Sequence, residues 1–318
     1  MEHLSLLSRS ISQKDVSASA VDAEPQTGRE GALALVYREV RLVWDFIRYD
    51  LSSTVVPMFL FMLAAAKHGD VRGIEFLAGL GRGLIYFVLF VLSFCIANQM
   101  AGVEEDRMNK PDRPLARGDV SLEGARVRWL ISMGLFTLVG WWFGVLKWTV
   151  GWQAIIYLHN FRSWAKHWLT KDLSMGLGVL FQLLPSWALM SPLTPEVWRW
   201  TWVLATTIFL LVPVQDLRDM AGDRLSARRT MPLEIGEWPT RLILAAGFSL
   251  LPLAMHFWMF APEGASWTVW GCEATATLIS LMIAGRVLLL RTPRADHWTY
   301  VLFTIWFCVI LGSAIILL

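Results

Sequence analysis

The stretch "YFVLFVLSFCIA" (86–97) runs without a charge into "NQMAGVEEDRMNKPDRP" (98–114), which crowds four acids and three bases together. An apolar run of about 20 residues is long enough to cross the ~30 Å hydrocarbon core of a bilayer as a helix. Lipid supplies no hydrogen bonds, so the backbone must satisfy itself, and a helix does this within one segment. Comparable runs recur near 51–66, 80–101, 126–146, 148–161, 173–190, 200–215, 240–261, 267–290 and 298–318. These runs predict an all-α integral membrane protein with nine transmembrane helices. The fourth is short, and Pro185 is expected to interrupt the fifth.

The composition agrees. The chain is 55% hydrophobic and 17% charged, against roughly 45–50% and about 25% for soluble domains. A net charge of +2 is too small to suggest a nucleic-acid partner, and nothing points to a protein partner. Cys95, Cys272 and Cys308 lie in apolar runs without metal-ligand spacing and read as small buried hydrophobes.

Residues 1–31 are polar, lack periodic apolar positions and read as a disordered tail. No signal-peptide pattern is present. From 32 to 318 the chain reads as one transmembrane domain. It opens with Val36, Val40, Val43, Trp44, Ile47 and Leu51 at helical spacing, the pattern of a helix lying in the membrane interface. Basic residues concentrate after the second, fourth, sixth and eighth runs. By the positive-inside rule those loops and the N-terminus are cytoplasmic, with the endoplasmic reticulum as the membrane in a eukaryotic cell.

Two of these loops carry acids in helical register. Asp216, Asp219 and Asp223 stand at i, i+3 and i+7, and Asn98, Gly102 and Asp106 at i, i+4 and i+8, with Glu105 beside them. Oxygen ligands in this density suit Mg²⁺, which is commonly shared between carboxylates and substrate phosphates. Nearby Arg and Lys would bind the remaining phosphate oxygens. Solvated charged loops after spans are common. Two such clusters on one side, at the mouth of an apolar bundle, favour a diphosphate site.

The chain resembles the UbiA superfamily of intramembrane prenyltransferases. Asn98 and Asp106 match two positions of that family's Asn-Asp-x-x-Asp-x-x-x-Asp signature, while Gln99 and Gly102 replace two of its Asp residues. Asp216, Asp219 and Asp223 match the second signature, Asp-x-x-Asp-x-x-x-Asp, in full. "RRTMP" and "NKPDRP" are similar to the segments that follow each signature. The resemblance implies a nine-helix bundle, with Mg²⁺ held by Asn98, Glu105, Asp106, Asp216, Asp219 and Asp223. Asn98, Asp106 and the three later Asp residues would be catalytic.

The altered first signature is similar to that of the membrane-bound terpene cyclases of fungal secondary metabolism. It implies Mg²⁺-dependent ionisation of an isoprenyl diphosphate, farnesyl diphosphate foremost, and cyclisation to a sesquiterpene. The alternative within the family is transfer of the isoprenyl group to an aromatic or other small acceptor. Lys110, Arg113, Lys171 and Arg229 would stabilise the leaving diphosphate. Tyr157 and Lys171 are further diphosphate candidates by resemblance. Trp141, Trp142, Phe181, Trp187, Phe209 and Trp306 could wall the carbocation pocket. His159 and His167 read as polar loop residues. A transporter would place its polar groups near mid-membrane on broken helices, and here they cluster at one end.

Overall fold

The computed structural model describes residues 31–318; the tail read at 1–31 lies, apart from Gly31, outside them. The chain divides into two units, Met1–Val40 and Arg41–Leu318. The described part of the first, residues 31–40, holds the opening turns of α1 (Ala32–Ile47).

The second unit is helical throughout. Its elements are α2 (Val55–His68), α3 (Gly73–Ala101), α4 (Val103–Asn109), α5 (Pro114–Arg117), α6 (Leu122–Trp142), α7 (Leu146–Phe161) and α8 (Trp168–Ala188). They are followed by α9 (Pro195–Leu211), α10 (Asp216–Leu225), α11 (Met231–Glu234), α12 (Glu237–Met255), α13 (Trp267–Leu289) and α14 (Pro293–Leu317). Helix starts follow local chemistry. Ser121, Thr194, Ser266 and Thr292 each accept a backbone N–H three residues on, and Pro follows Thr194 and Thr292 at the first helical position.

Each apolar run read from the sequence overlaps a helix, but the described residues do not give nine spans. Among the described residues, five helical stretches are long and apolar enough to cross a membrane: Gly73–Ala101, Pro195–Leu225, Glu237–Glu263, Trp267–Leu289 and Pro293–Leu317. Pro185 does not interrupt α8. It sits in the last turn, three residues before the helix ends at Ala188, so little of the helix lies beyond its lost N–H. The proline that does reset a helix is Pro213. There α9 tightens into a 3₁₀ turn, Val212–Gln215, before α10 begins at Asp216.

The helices close on themselves: α14 packs against α13 and α2, α2 against α8 and α3, and α8 against α7 and α9. Small residues set the closest approaches. A Cβ on Gly176 would lie 2.9 Å from the carbonyl oxygen of Ala205, so the α8–α9 contact requires glycine. The core holds Trp187, Trp200 and Trp306 fully buried with Phe248 and Phe260. The end of α1 joins a satellite cluster, where Leu42, Phe46 and Ile47 are buried with Val91, Cys95 and Ile96 of α3. Ile47 therefore faces protein while Trp44 is exposed, so these two residues do not share the single membrane-facing stripe expected from the sequence.

One buried ion pair ties three helices together. Arg241 of α12 donates to Asp296 of α14 at 2.7 and 2.9 Å and to the Val287 carbonyl of α13 at 2.9 Å. With both partners nearly inaccessible, bidentate geometry and the extra carbonyl acceptor offset part of the cost of desolvating them.

Candidate active site

The loops after α3, α7 and α10 meet at one end of the bundle. Arg229 N–H donates to the Lys166 carbonyl at 2.7 Å, and Trp168 N–H to the Arg229 carbonyl at 2.8 Å. Arg228 then spans the two acid motifs, 2.9 Å from Glu105 and 3.6 Å from Asp223. That guanidinium links Glu105, beside the first signature, to Asp223 of the second, although Asp216 and Asp223 do not themselves line the cavity beneath it.

Below these groups is a cavity of about 270 Å³ lined by Asn98, Gly102, Glu105, Asp106, Lys110, Arg113, Lys171 and Arg228 at its charged part. Gly102 ends α3 and α4 starts at the next residue, so the helix bends between Asn98 and Asp106. The bend brings Glu105 onto the cavity wall with Asn98 and Asp106.

Acids and bases neutralise each other around the cavity. Arg113 donates to both Asp106 oxygens, at 3.0 and 2.9 Å, and to Asn98 at 3.3 Å. Burial disfavours the Arg113 charge, but the Asp106 carboxylate prevails and holds the guanidinium above its ordinary pKa. Lys171 is hydrogen-bonded to Asp216, whose side chain is almost wholly buried. Asp219 differs: it is half exposed, pairs with Arg218 at 3.2 Å and lines a neighbouring, wider cavity.

Several sequence expectations shift. Arg229 is turned outward, 63% exposed and paired with Glu234 at 2.7 Å, and its neighbour Arg228 takes the inward position. Ala227 explains the exchange, since its φ of 51° reverses the chain immediately before them. Tyr157 is exposed beside Phe161 and does not line the cavity. His159 lies within α7, buried on the cavity wall with Nδ1 unpartnered, and is not a loop residue.

The aromatic wall is also different from the one expected. Trp141 and Trp142 are exposed, Trp187 and Trp306 belong to the core, and none of the six candidates lines the cavity. The wall is instead built from Phe90, Phe94, Trp152, Tyr300, Phe303 and Phe307. Phe90 stacks on Trp152 at 4.6 Å with planes 5° apart, and Phe94 stacks on Trp152 at 5.4 Å. The indole N–H donates to the Phe90 carbonyl at 3.1 Å, which fixes the ring against Phe90 and Phe94.

Among the described residues no three acidic, His or Cys side chains are gathered for a metal ion. The salt bridges account for this, because the carboxylates are drawn toward cations instead of toward one another. The donor set nevertheless fits a hard cation. Asp216 Oδ2, Asp223 Oδ2 and both Asp172 oxygens are buried without a hydrogen-bond partner, and unsatisfied carboxylate oxygens are what Mg²⁺ takes as ligands.

The signature of the UbiA prenyltransferase family matches residues 54–308. Over 280 residues the chain is 43% identical to Somaliensene A/B synthase of Streptomyces somaliensis, spanning 88% of this chain and 94% of that relative. It is 32% identical over 285 residues to diterpene cyclase eriG of Hericium erinaceus, spanning 88% and 89%. Polyprenyl transferase eriF of the same organism is 30% identical over 285 residues, spanning 87% and 95%. Among solved structures, a UbiA homolog from Archaeoglobus fulgidus bound to DMAPP and Mg²⁺ has the same fold, with a TM-score of 0.60 at 14% identity over 87% of this chain and 99% of that one. These findings set the transporter alternative aside. The chain belongs to the UbiA prenyltransferase family and is a membrane-embedded enzyme of its terpene-synthase and prenyltransferase type.

Proposed function

We propose that the protein ionises an allylic isoprenyl diphosphate and cyclises the resulting carbocation within the aromatic cavity. The observation that carries this reading is the joining of two environments in one cavity: acids and bases at the charged part, stacked rings along the rest. Ionisation separates a diphosphate anion from a hydrocarbon cation, and each needs its own surroundings.

Asn98, Glu105, Asp106, Asp216 and Asp223 would hold Mg²⁺, with Asp219 in reach of the neighbouring cavity. The bound ion supplies Lewis-acid stabilisation to the leaving phosphoryl oxygens. Lys110, Arg113, Lys171 and Arg228 donate to the diphosphate oxygens, the last three exchanging carboxylate partners for phosphate ones. Tyr157 and Arg229, carried over by resemblance, would need to swing inward to join them. A ring of this wall that turns its face to the cation would stabilise it by about 0.5–2 kcal/mol. The apolar wall excludes water, which would otherwise quench the cation to an open-chain alcohol.

Farnesyl diphosphate is the expected substrate, and geranylgeranyl diphosphate is the second chain length to compare, since one relative is named a diterpene cyclase. Membranes containing the protein, given either diphosphate and Mg²⁺ alone, are expected to yield a cyclic terpene hydrocarbon or alcohol in an organic extract read by mass spectrometry. Transfer is the second reading. It is favoured by the wider cavity of about 890 Å³ that shares Asp50, Lys110, Arg113 and Tyr300 with the first and has room for an acceptor. Open-chain products alone, with prenylation appearing only when an aromatic acceptor is added, would replace cyclisation by transfer.

In the membrane, all nine helices matching the apolar runs are proposed to span the bilayer with the acid-bearing loops in the cytoplasm. The supporting feature is the shared backbone pairing of the 162–168 loop with Arg229, which places basic loops together. An Arg162→Cys variant should react with an impermeant maleimide from the cytoplasmic side only; labelling from the other side alone would reverse the topology.

A further inference from the structure

We propose that Asp50 is the base that ends the reaction, accepting the proton whose loss converts the last carbocation into an alkene. The assignment rests on the cyclisation reading above and deepens it.

Asp50 follows α1 in a turn held by its backbone N–H on the Ile47 carbonyl at 2.9 Å. Its side chain lines the aromatic cavity together with Phe90 and Phe94, and it also lines the wider cavity next door. The other two carboxylates on the aromatic cavity wall are engaged, Glu105 by Arg228 and Asp106 by Arg113. Asp50 makes no ion pair among the described residues. Its one side-chain hydrogen bond comes from the Cys95 thiol, 3.3 Å from Oδ2. A thiol is a weak donor, so this contact orients the carboxylate while leaving its lone pairs available. Nor does Asp50 serve as a helix cap: the residue at the start of α2 is Thr54, and no side-chain cap bond is made there.

The step balances without a further reactant. A C–H bond next to the cationic carbon breaks, its electron pair becomes the C=C π bond, and the proton goes to a carboxylate oxygen of Asp50. The place of Asp50 on the shared wall gives that proton a way out. Ser53, Gln215 and Thr304 line both cavities with it, so a polar route leads from the dry pocket toward the wider one. A carboxylate on this wall is also attracted to the migrating cation, which draws the end of the cascade toward it.

Asp50→Asn keeps the shape and removes the base. Diphosphate release and extracted hydrocarbon are to be measured together, with the substrate on which the wild type is active. The expected result is diphosphate release within about threefold of wild type and hydrocarbon per diphosphate lowered by about tenfold or more, with terpene alcohols in its place. An unchanged hydrocarbon-to-diphosphate ratio would overturn the assignment. So would a proportional loss of both, which marks a structural or diphosphate-binding role. If Asp50→Asn cannot be extracted folded, Asp50→Ser is read by the same ratio. His159→Asn is run beside them, and a partition change in that variant alone moves the base to His159 and rejects Asp50. A wild type that gives no cyclic product overturns the cyclisation reading together with this step, whereas cyclic hydrocarbon formed by Asp50→Asn at the wild-type ratio to diphosphate rejects this step only.

Discussion

Asp216→Asn is expected to slow diphosphate release from an allylic isoprenyl diphosphate by about a hundredfold or more while leaving a folded, extractable protein. Asp216 opens α10 immediately after the Pro213 turn, and its side chain is sealed inside the bundle. One oxygen accepts from Lys171, and the other is buried with no partner. The substitution keeps the volume but turns one acceptor into an amide and removes the charge that faces the Lys171 ammonium. An uncompensated buried charge costs about 3–5 kcal/mol, so a loss of stability is anticipated alongside the loss of turnover. The double variant Asp216→Asn, Lys171→Met separates the two. It should regain thermal stability relative to the single variant and remain inactive. Turnover within threefold of wild type in Asp216→Asn would show that the second signature does not serve the diphosphate.

The helices were legible because hydrocarbon length and helical rise leave little freedom, and the acid register was legible because three Asp residues on one face have no role in lipid. Other parts left no such trace. The cavity rings could not be chosen among 18 Trp and 17 Phe, since ring abundance carries no direction. Only packing shows that Trp152 is held by the Phe90 carbonyl while Trp141 and Trp142 face outward. The exchange of Arg229 for Arg228 turns on a single positive φ at Ala227, a residue type that gives no hint of it. Asp50 sits alone in a turn, outside any motif, and becomes notable only when the wall it shares with Phe90 is seen. Spans were harder to judge than helices. α7 and α8 carry buried His159, Asp172 and Gln182, whose polarity lowers the apolar signal although these residues face protein.

Chelation of divalent metal is expected to reduce turnover by about a hundredfold or more, with recovery when Mg²⁺ is returned. Three of the bases on the cavity wall are already committed to carboxylates: Arg113 to Asp106, Lys171 to Asp216, and Arg228 to Glu105 and Asp223. A diphosphate arriving without a cation would have to strip those pairs and leave buried carboxylates facing its own charge, which like-charge repulsion disfavours. Gly102→Asp tests the same balance from the other direction. The Gly102 backbone has a φ of −120°, open to any side chain, and a Cβ there meets nothing nearer than the Asn98 carbonyl at 3.4 Å. The added carboxylate would stand on the cavity wall beside Glu105 and Asp106, raising the oxygen-donor count of the first motif. The Mg²⁺ concentration for half-maximal turnover should then fall by about threefold or more. In a thermal melt of the extracted protein with inorganic diphosphate, the Mg²⁺ titration midpoint should fall in parallel. Full activity in excess EDTA would remove the metal from the mechanism. A Gly102→Asp variant whose Mg²⁺ dependence is unchanged in both assays would place the ion away from the first motif.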